Sequence, residues 1–105
     1  MQLIHAAELK SKLDAGESVT VLDVRESWEY ELCHIEGSTH IPMGQIPNTA
    51  LGLDRNAEIV VLCHHGARSR QVATFLEQTG FHHIANLEGG IDAWSREVDT
   101  TIAQY

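Results

Sequence analysis

The chain has 105 residues, of which 43% are hydrophobic and 21% charged, and this length predicts one compact domain over residues 1–105. Fifteen acidic residues against seven lysines and arginines give a net charge of −8, which argues against binding to nucleic acid or to anionic membrane surfaces. The sequence shows neither an apolar run long enough to cross a bilayer nor the basic start of a secretory signal, so a cytoplasmic location is expected.

Helices and strands are predicted to alternate in the first half of the chain. Three apolar residues recur at helical spacing and a glycine follows them as a stop signal: Ala6, Leu9, Leu13 and Gly16. A segment rich in β-branched residues, 19–24, predicts a strand. A short helix is predicted over 26–32 and a further strand over 39–41. Glycines and a proline interrupt residues 43–57, so no long element is expected there.

The second half contains the clearest strand, residues 59–62, because all four of its residues are apolar, as in a parallel strand covered by helices on both faces. Three apolar residues mark the inner side of a helix predicted over 67–79: Val72, Phe75 and Leu76. Residues 83–87 predict another strand, and a last short helix follows Gly89 and Gly90. This alternation indicates an α/β domain with right-handed crossovers.

The segment that joins the buried strand to the long helix, residues 63–70, has the composition best suited to chemistry. Ligands of open α/β sheets bind at the carboxyl ends of the strands, which is where Cys63 falls. The loop enters a helix, so free amides and the helix dipole favour an anion at its centre. Gly66 permits the backbone angles that let successive amides converge. Cys63 is therefore the candidate nucleophile, and this setting favours its thiolate form.

Substrate binding is expected to involve the rest of the same loop: His64, His65, Gly66, Ala67, Arg68 and Ser69. Arg68 adds a permanent cation and a forked donor suited to sulfonate or phosphate oxygens. His64 and His65 are expected to line the mouth of the pocket, since an adjacent pair of histidines is not a zinc signature. No metal and no organic cofactor is expected.

Taken together, these segments resemble the rhodanese family of single-domain sulfurtransferases, and the resemblance covers nearly the whole chain. The residues that carry it lie, in order, at 22–26 (LDVRE), 29–42, 63–69 and 87–94. The resemblance implies a five-stranded parallel sheet with helices on both faces. It also implies that Cys63 becomes a persulfide whose outer sulfur is held by the backbone of residues 64–68. The acidic residues of the earlier motifs are usually structural in this family, so these are not placed in the catalytic set: Asp23, Glu26 and Glu29.

The expected reaction is a two-step transfer of a sulfane sulfur. The Cys63 thiolate attacks a small anionic donor such as thiosulfate, and sulfite leaves. Arg68 and the loop amides are expected to stabilise the anionic donor and the departing charge. Cyanide takes the outer sulfur in an assay, and a thiol or a thioredoxin-like protein is the expected acceptor in a cell.

Three other functions compete with this interpretation. A phosphatase is disfavoured because only four residues separate Cys63 from Arg68, whereas phosphatases of this kind hold five around a tetrahedral phosphate. A regulatory module with an inactive site would generally lack the cysteine. A persulfide carrier that hands sulfur to a protein partner uses the same chemistry and stays open as an alternative.

Cys33 departs from the family pattern, which generally has a small residue before His34. The favoured interpretation is a tolerated, partly buried thiol without a chemical role. The alternative is a resolving cysteine that could form a disulfide with Cys63.

Overall fold

Five parallel strands form one sheet in a computed structural model, which describes the backbone of residues 1–105 and every side chain except that of Leu51. In chain order the strands are β1 (Gln2–Ile4), β2 (Val19–Asp23), β3 (Thr39–His40), β4 (Glu58–Leu62) and β5 (His83–Leu87). Their order across the sheet is β1-β5-β4-β2-β3. The central strand β4 pairs in parallel with β2 on one side and with β5 on the other. The expected five-stranded parallel sheet is confirmed.

The helices between the strands are α1 (Ala6–Asp14), α2 (Ser27–Leu32), α3 (Ile46–Thr49), α4 (Ala67–Gln78) and α5 (Gly90–Glu97). Short 3₁₀ turns flank α3, at Met43–Gln45 and Ala50–Gly52. Helices α1 and α5 contribute buried residues to one face of the sheet, and α3 and α4 contribute to the other. Among the described residues, no helix is long and apolar enough to span a membrane.

Two apolar cores lie on opposite faces of the sheet, because the side chains of a strand alternate between its faces. Ile59 and Val61 of β4 belong to the core under α4, whereas Val60 and Leu62 belong to the core under α1 and α5. All four side chains are fully buried. The uninterrupted apolar run of β4 therefore reflects burial on both faces, as predicted.

Most of the predicted elements agree with the structure to within one or two residues. The helix expected over 26–32 begins at Ser27, and the helix expected over 67–79 ends at Gln78. Residues 43–57 form short helical turns instead of one long element. The strand β1 was not predicted from its own residues, because it is three residues long and two of them are exposed.

Candidate active site

Cys63 directly follows β4 at the carboxyl edge of the sheet, and its sulfur lies at the base of the loop that leads into α4. The amide of Gly66 donates to Cys63 Sγ at 3.0 Å, and the Ser69 hydroxyl lies 3.4 Å from the same sulfur. Gly66 has a φ of 119°, which places it among the conformations that favour glycine. This turn directs the amide of Gly66 back towards the sulfur, as expected for a glycine that lets the loop amides converge on Cys63.

The first turn of α4 provides further backbone donors beside the sulfur. The amides of Ala67, Arg68 and Ser69 have no acceptor inside the helix because they are its first residues. No other backbone carbonyl in the described part of the chain accepts from them. The positive end of the helix dipole lies at the same place. The loop therefore combines a sulfur with unused donors suited to an anion.

The thiol of Cys63 is almost completely enclosed, with only 1% of the residue exposed. Of its neighbours in the loop, His64 is half-buried and His65 is exposed. A reactant must therefore present a small terminal atom to reach the sulfur. A single sulfane sulfur satisfies that requirement better than a bulky tetrahedral group does.

Arg68 does not stand free beside Cys63, and its expected role in substrate binding stays a prediction. Its two terminal nitrogens bind the carboxylate of Glu29, from α2, at 2.6 and 2.9 Å. The hydrogen bonds from Arg68 lower the pKa of Glu29 to about 2, and the same contact raises the pKa of Arg68. Both groups are thus charged at neutral pH, and together they carry no net charge.

Tyr105 connects this ion pair to the loop. Its hydroxyl donates to Glu29 Oε2 at 2.6 Å and accepts from Arg25 Nη1 at 2.9 Å. Its ring stacks on His64, with ring centroids 3.9 Å apart and planes 7° from parallel. Burial raises the pKa of Tyr105 to about 12, so its hydroxyl is a neutral donor at physiological pH. Sequence reasoning missed this residue.

Arg25 fixes the position of α2 through hydrogen bonds to its main chain. It is fully buried, and its Nε and Nη2 donate to the carboxylate of Asp23 at 2.7 to 3.1 Å. The same guanidinium donates to the main-chain carbonyls of Glu29 and Cys33. A buried ion pair with these further partners holds the end of α2, and with it the carboxylate of Glu29, in place.

Asn86 of β5 supports the loop from inside the sheet and was also missed. Its Nδ2 donates to the carbonyl of Gly66 at 3.1 Å, and its Oδ1 accepts from the Ser69 hydroxyl. Asn86 is 4% exposed. The available signal was a polar amide in a short strand that is otherwise mostly apolar, since buried polar groups need partners.

The start of α5 anchors the outer side of the loop. The amides of Ile91 and Asp92 donate to the carbonyls of Cys63 and His64 at 2.8 and 3.1 Å. Gly90 has a φ of 59°, and a Cβ there would lie 2.5 Å from the His64 carbonyl oxygen and closer still to that of Cys63. Both glycines thus have a steric reason: at Gly90 backbone packs directly on backbone, and a Cβ at Gly89 would lie 2.6 Å from the Cβ of Ala93.

One group of possible metal ligands lies at the mouth of the loop. Donor atoms of His64, His65 and Asp92 lie within 4.8 Å of one another. The ring of His64 stacks on both His65 and Tyr105, and its Nε2 is buried with no hydrogen-bond partner among the described residues. Both carboxylate oxygens of Asp92 accept from Arg96. These residues could hold a cation only in competition with that arginine.

Cys33 lies on the other face of the sheet from Cys63. It is buried in the core under α1 and α5, whereas Cys63 belongs to the core under α4. Both thiols are free. A disulfide between them would require the sheet to open, so the structure favours the interpretation of Cys33 as a packing residue.

The fold and this loop define a class of α/β proteins with a buried cysteine between the central parallel strand and the N-terminus of a helix. The family described as the rhodanese-like domain matches residues 5–97. The chain belongs to the rhodanese family, which confirms the resemblance drawn from its motifs.

Similar proteins are named for sulfur transfer. "Putative sulfurtransferase YtwF" of Bacillus subtilis is 40% identical over 94 residues, which cover 90% of each protein. "Putative sulfur carrier protein YrkF" of the same organism is 40% identical over 96 residues, although this chain spans only 52% of it. The crystal structure of a rhodanese-related protein from Thermoplasma volcanium superposes with a TM-score of 0.85, at 36% identity, covering 93% of this chain and 94% of the other. Family membership and the names of these relatives support sulfur transfer in general.

Proposed function

We propose that the chain moves a sulfane sulfur from a donor to a nucleophilic acceptor through a persulfide on Cys63. The observation that carries the proposal is the hydrogen bond from the Gly66 amide to Cys63 Sγ, at 3.0 Å, in front of α4. A backbone donor and a helix N-terminus stabilise negative charge on that sulfur. The same setting suits both the attacking thiolate and the persulfide anion.

In the first half-reaction the Cys63 thiolate attacks the outer sulfur of the donor. A new S–S bond forms to Cys63, and the bond between the outer sulfur and the rest of the donor breaks. With thiosulfate the balance is Cys63–S⁻ + S–SO₃²⁻ → Cys63–S–S⁻ + SO₃²⁻, and sulfite leaves with the electron pair. In the second half-reaction cyanide or a thiol attacks the outer sulfur, and the Cys63 thiolate is the leaving group.

The loop residues have distinct parts in this reaction. The backbone of residues 64–68 would hold the outer sulfur, because the amides at the start of α4 are free to donate. The Ser69 hydroxyl, 3.4 Å from Cys63 Sγ, would pack beside the inner sulfur while it donates its proton to Asn86 Oδ1. No step requires a metal or an organic cofactor, and a thioredoxin-like protein would fit as the cellular acceptor.

A sulfur carrier is the second candidate. One of the relatives is named as a sulfur carrier, and this chain spans about half of that relative's length. A carrier would form the same Cys63 persulfide and release its sulfur to one protein partner. Both candidates form the same Cys63 persulfide, but only an enzyme would turn over with small acceptors such as cyanide.

Intact mass spectrometry tests the proposal. After incubation with thiosulfate or cysteine persulfide, the wild-type chain should gain the mass of one sulfur atom, and a reducing agent should remove it. Cys63→Ser should gain none, whereas the matched control Cys33→Ser should load as the wild type does. Sulfur added to Cys63→Ser would overturn the proposal. Steady-state turnover with cyanide then distinguishes an enzyme from a carrier.

A further inference from the structure

We infer that Glu29 is a specificity-determining residue: by pairing with Arg68 it removes the free cation that a small dianionic donor needs, so the site favours persulfides of organic thiols over thiosulfate. This inference rests on the proposed persulfide on Cys63. It names the class of donor that the site selects.

The pairing between Glu29 and Arg68 is held by more than the arginine. Glu29 Oε2 also accepts from the Tyr105 hydroxyl at 2.6 Å, and Glu29 Oε1 accepts from the amide of Glu26 at 3.0 Å. The Glu29 side chain is only 4% exposed. A carboxylate with four donors does not swing aside when an anion arrives, because each lost hydrogen bond would leave a buried polar group unpaired.

The other charges around the loop do not replace the missing cation. Arg25 is fully buried and paired with Asp23 at 2.7 Å. Arg96 is bound to Asp92, whose carboxylate also lies 3.9 Å from His65. Arg70 is exposed on α4, where solvent and salt screen its charge. With a net charge of −8 on the whole chain, a dianion approaching the loop meets repulsion, and the described residues offer it backbone amides but no unpaired cation inside the loop.

Thiosulfate and an organic persulfide make different demands on such a site. When thiosulfate reacts, the leaving group is a sulfite dianion, and the loop can stabilise its charge only with backbone amides. A thiol persulfide reacts as Cys63–S⁻ + R–S–S⁻ + H⁺ → Cys63–S–S⁻ + R–SH, with the proton taken from water. The departing thiol is neutral at its sulfur, so this reaction needs no cation beside Cys63.

The rim of the loop also offers contacts that only an organic donor can use. Trp28, next to Glu29 on α2, is 63% exposed. Its ring meets the Tyr105 ring edge to face, with centroids 5.9 Å apart, and Tyr105 in turn stacks on His64. This aromatic surface beside the loop can bury the carbon chain of a thiol, whereas thiosulfate has no apolar part.

The test is the rate at which Cys63 gains sulfur from thiosulfate and from cysteine persulfide, followed by quenched intact mass. In the wild type the persulfide should load faster, and thiosulfate loading should stay constant or rise with added salt, because screening relieves repulsion. Glu29→Gln should raise the ratio of thiosulfate to persulfide loading rates by about tenfold and make thiosulfate loading fall with salt. Glu97→Gln, which removes one exposed negative charge from α5, should leave the ratio unchanged.

The outcomes separate this inference from the proposed function. If neither donor loads Cys63 in the wild type, the persulfide proposal itself fails. If both load but thiosulfate is faster and slows with salt, a free cation is present and the inference is overturned. The salt dependence uses only the wild-type chain, so it decides the matter even if Glu29→Gln does not fold. A folded Glu29→Gln with an unchanged ratio would also overturn the inference.

Discussion

Gly90 is the position where one added methyl group should most directly disturb the cysteine loop. Its φ of 59° is unfavourable for alanine, at about 1–2 kcal/mol. The new Cβ would lie 2.5 Å from the carbonyl oxygen of His64, and overpacking of this kind costs about 1–3 kcal/mol. Relief of the clash would stretch the hydrogen bonds from Ile91 and Asp92 to the loop, each worth about 0.5–1.5 kcal/mol. We expect Gly90→Ala to lower the free energy of unfolding by roughly 3–5 kcal/mol.

Urea unfolding followed by circular dichroism measures this change, and Gly44→Ala is the matched control. A Cβ at Gly44 meets no atom within 4 Å, and its φ is not in the left-handed region. The control should lie within about 1 kcal/mol of the wild type, since alanine there only restricts the unfolded chain. In conditions where Gly90→Ala stays folded, its Cys63 should also load sulfur more slowly. A stability for Gly90→Ala equal to that of Gly44→Ala would refute the steric reasoning.

Two further predictions concern residues that act on the loop from a distance. Because the pKa of Glu29 is about 2 in the folded protein and 4.5 without its partners, its stabilisation is complete above about pH 4.5 and is lost as the pH falls towards 2. The free energy of unfolding should fall by up to about 3 kcal/mol over this pH range. Urea unfolding at a series of pH values should therefore show a steeper loss of stability in the wild type than in Glu29→Gln, and equal losses in the two proteins would contradict the prediction. Asn86→Ala should cost about 1–3 kcal/mol, because it removes both the hydrogen bond from Asn86 Nδ2 to the Gly66 carbonyl and the one from the Ser69 hydroxyl to Asn86 Oδ1, and it should slow Cys63 loading. Wild-type stability and loading in that variant would show that the amide does not support the loop.

The features that were predicted correctly are those decided by neighbouring residues in the chain. The strand at 59–62 is apolar at every position, and the loop after it places a cysteine, a glycine and a helix start within a few residues. Strand burial, the turn at Gly66 and the free amides of α4 all follow from such local order. The central strand and the turn that follows Cys63 could therefore be predicted without the structure, whereas the role of Cys63 as the nucleophile stays a prediction.

The features that were missed depend on residues that are far apart in the sequence. Arg68 looks like a free cation when only its own loop is considered, but its partner Glu29 is 39 residues away. The hydroxyl of Tyr105 reaches Glu29 across 76 residues. Strand β1 is defined by its pairing with β5 and not by its own composition. Such contacts are set by tertiary packing, which periodicity and motif spacing do not describe.

The placement of the two cysteines in separate cores has a consequence for the fate of a loaded sulfur. Cys33 is the only other thiol in this sequence and lies on the opposite side of the sheet from Cys63, so it cannot release the outer sulfur by forming an intramolecular disulfide with Cys63. In the proposed reaction, every cycle must therefore end when a nucleophile from solution attacks the outer sulfur. The lifetime of the persulfide then depends on the concentration of external acceptors, and a molecule that encounters none serves as a small reserve of activated sulfur.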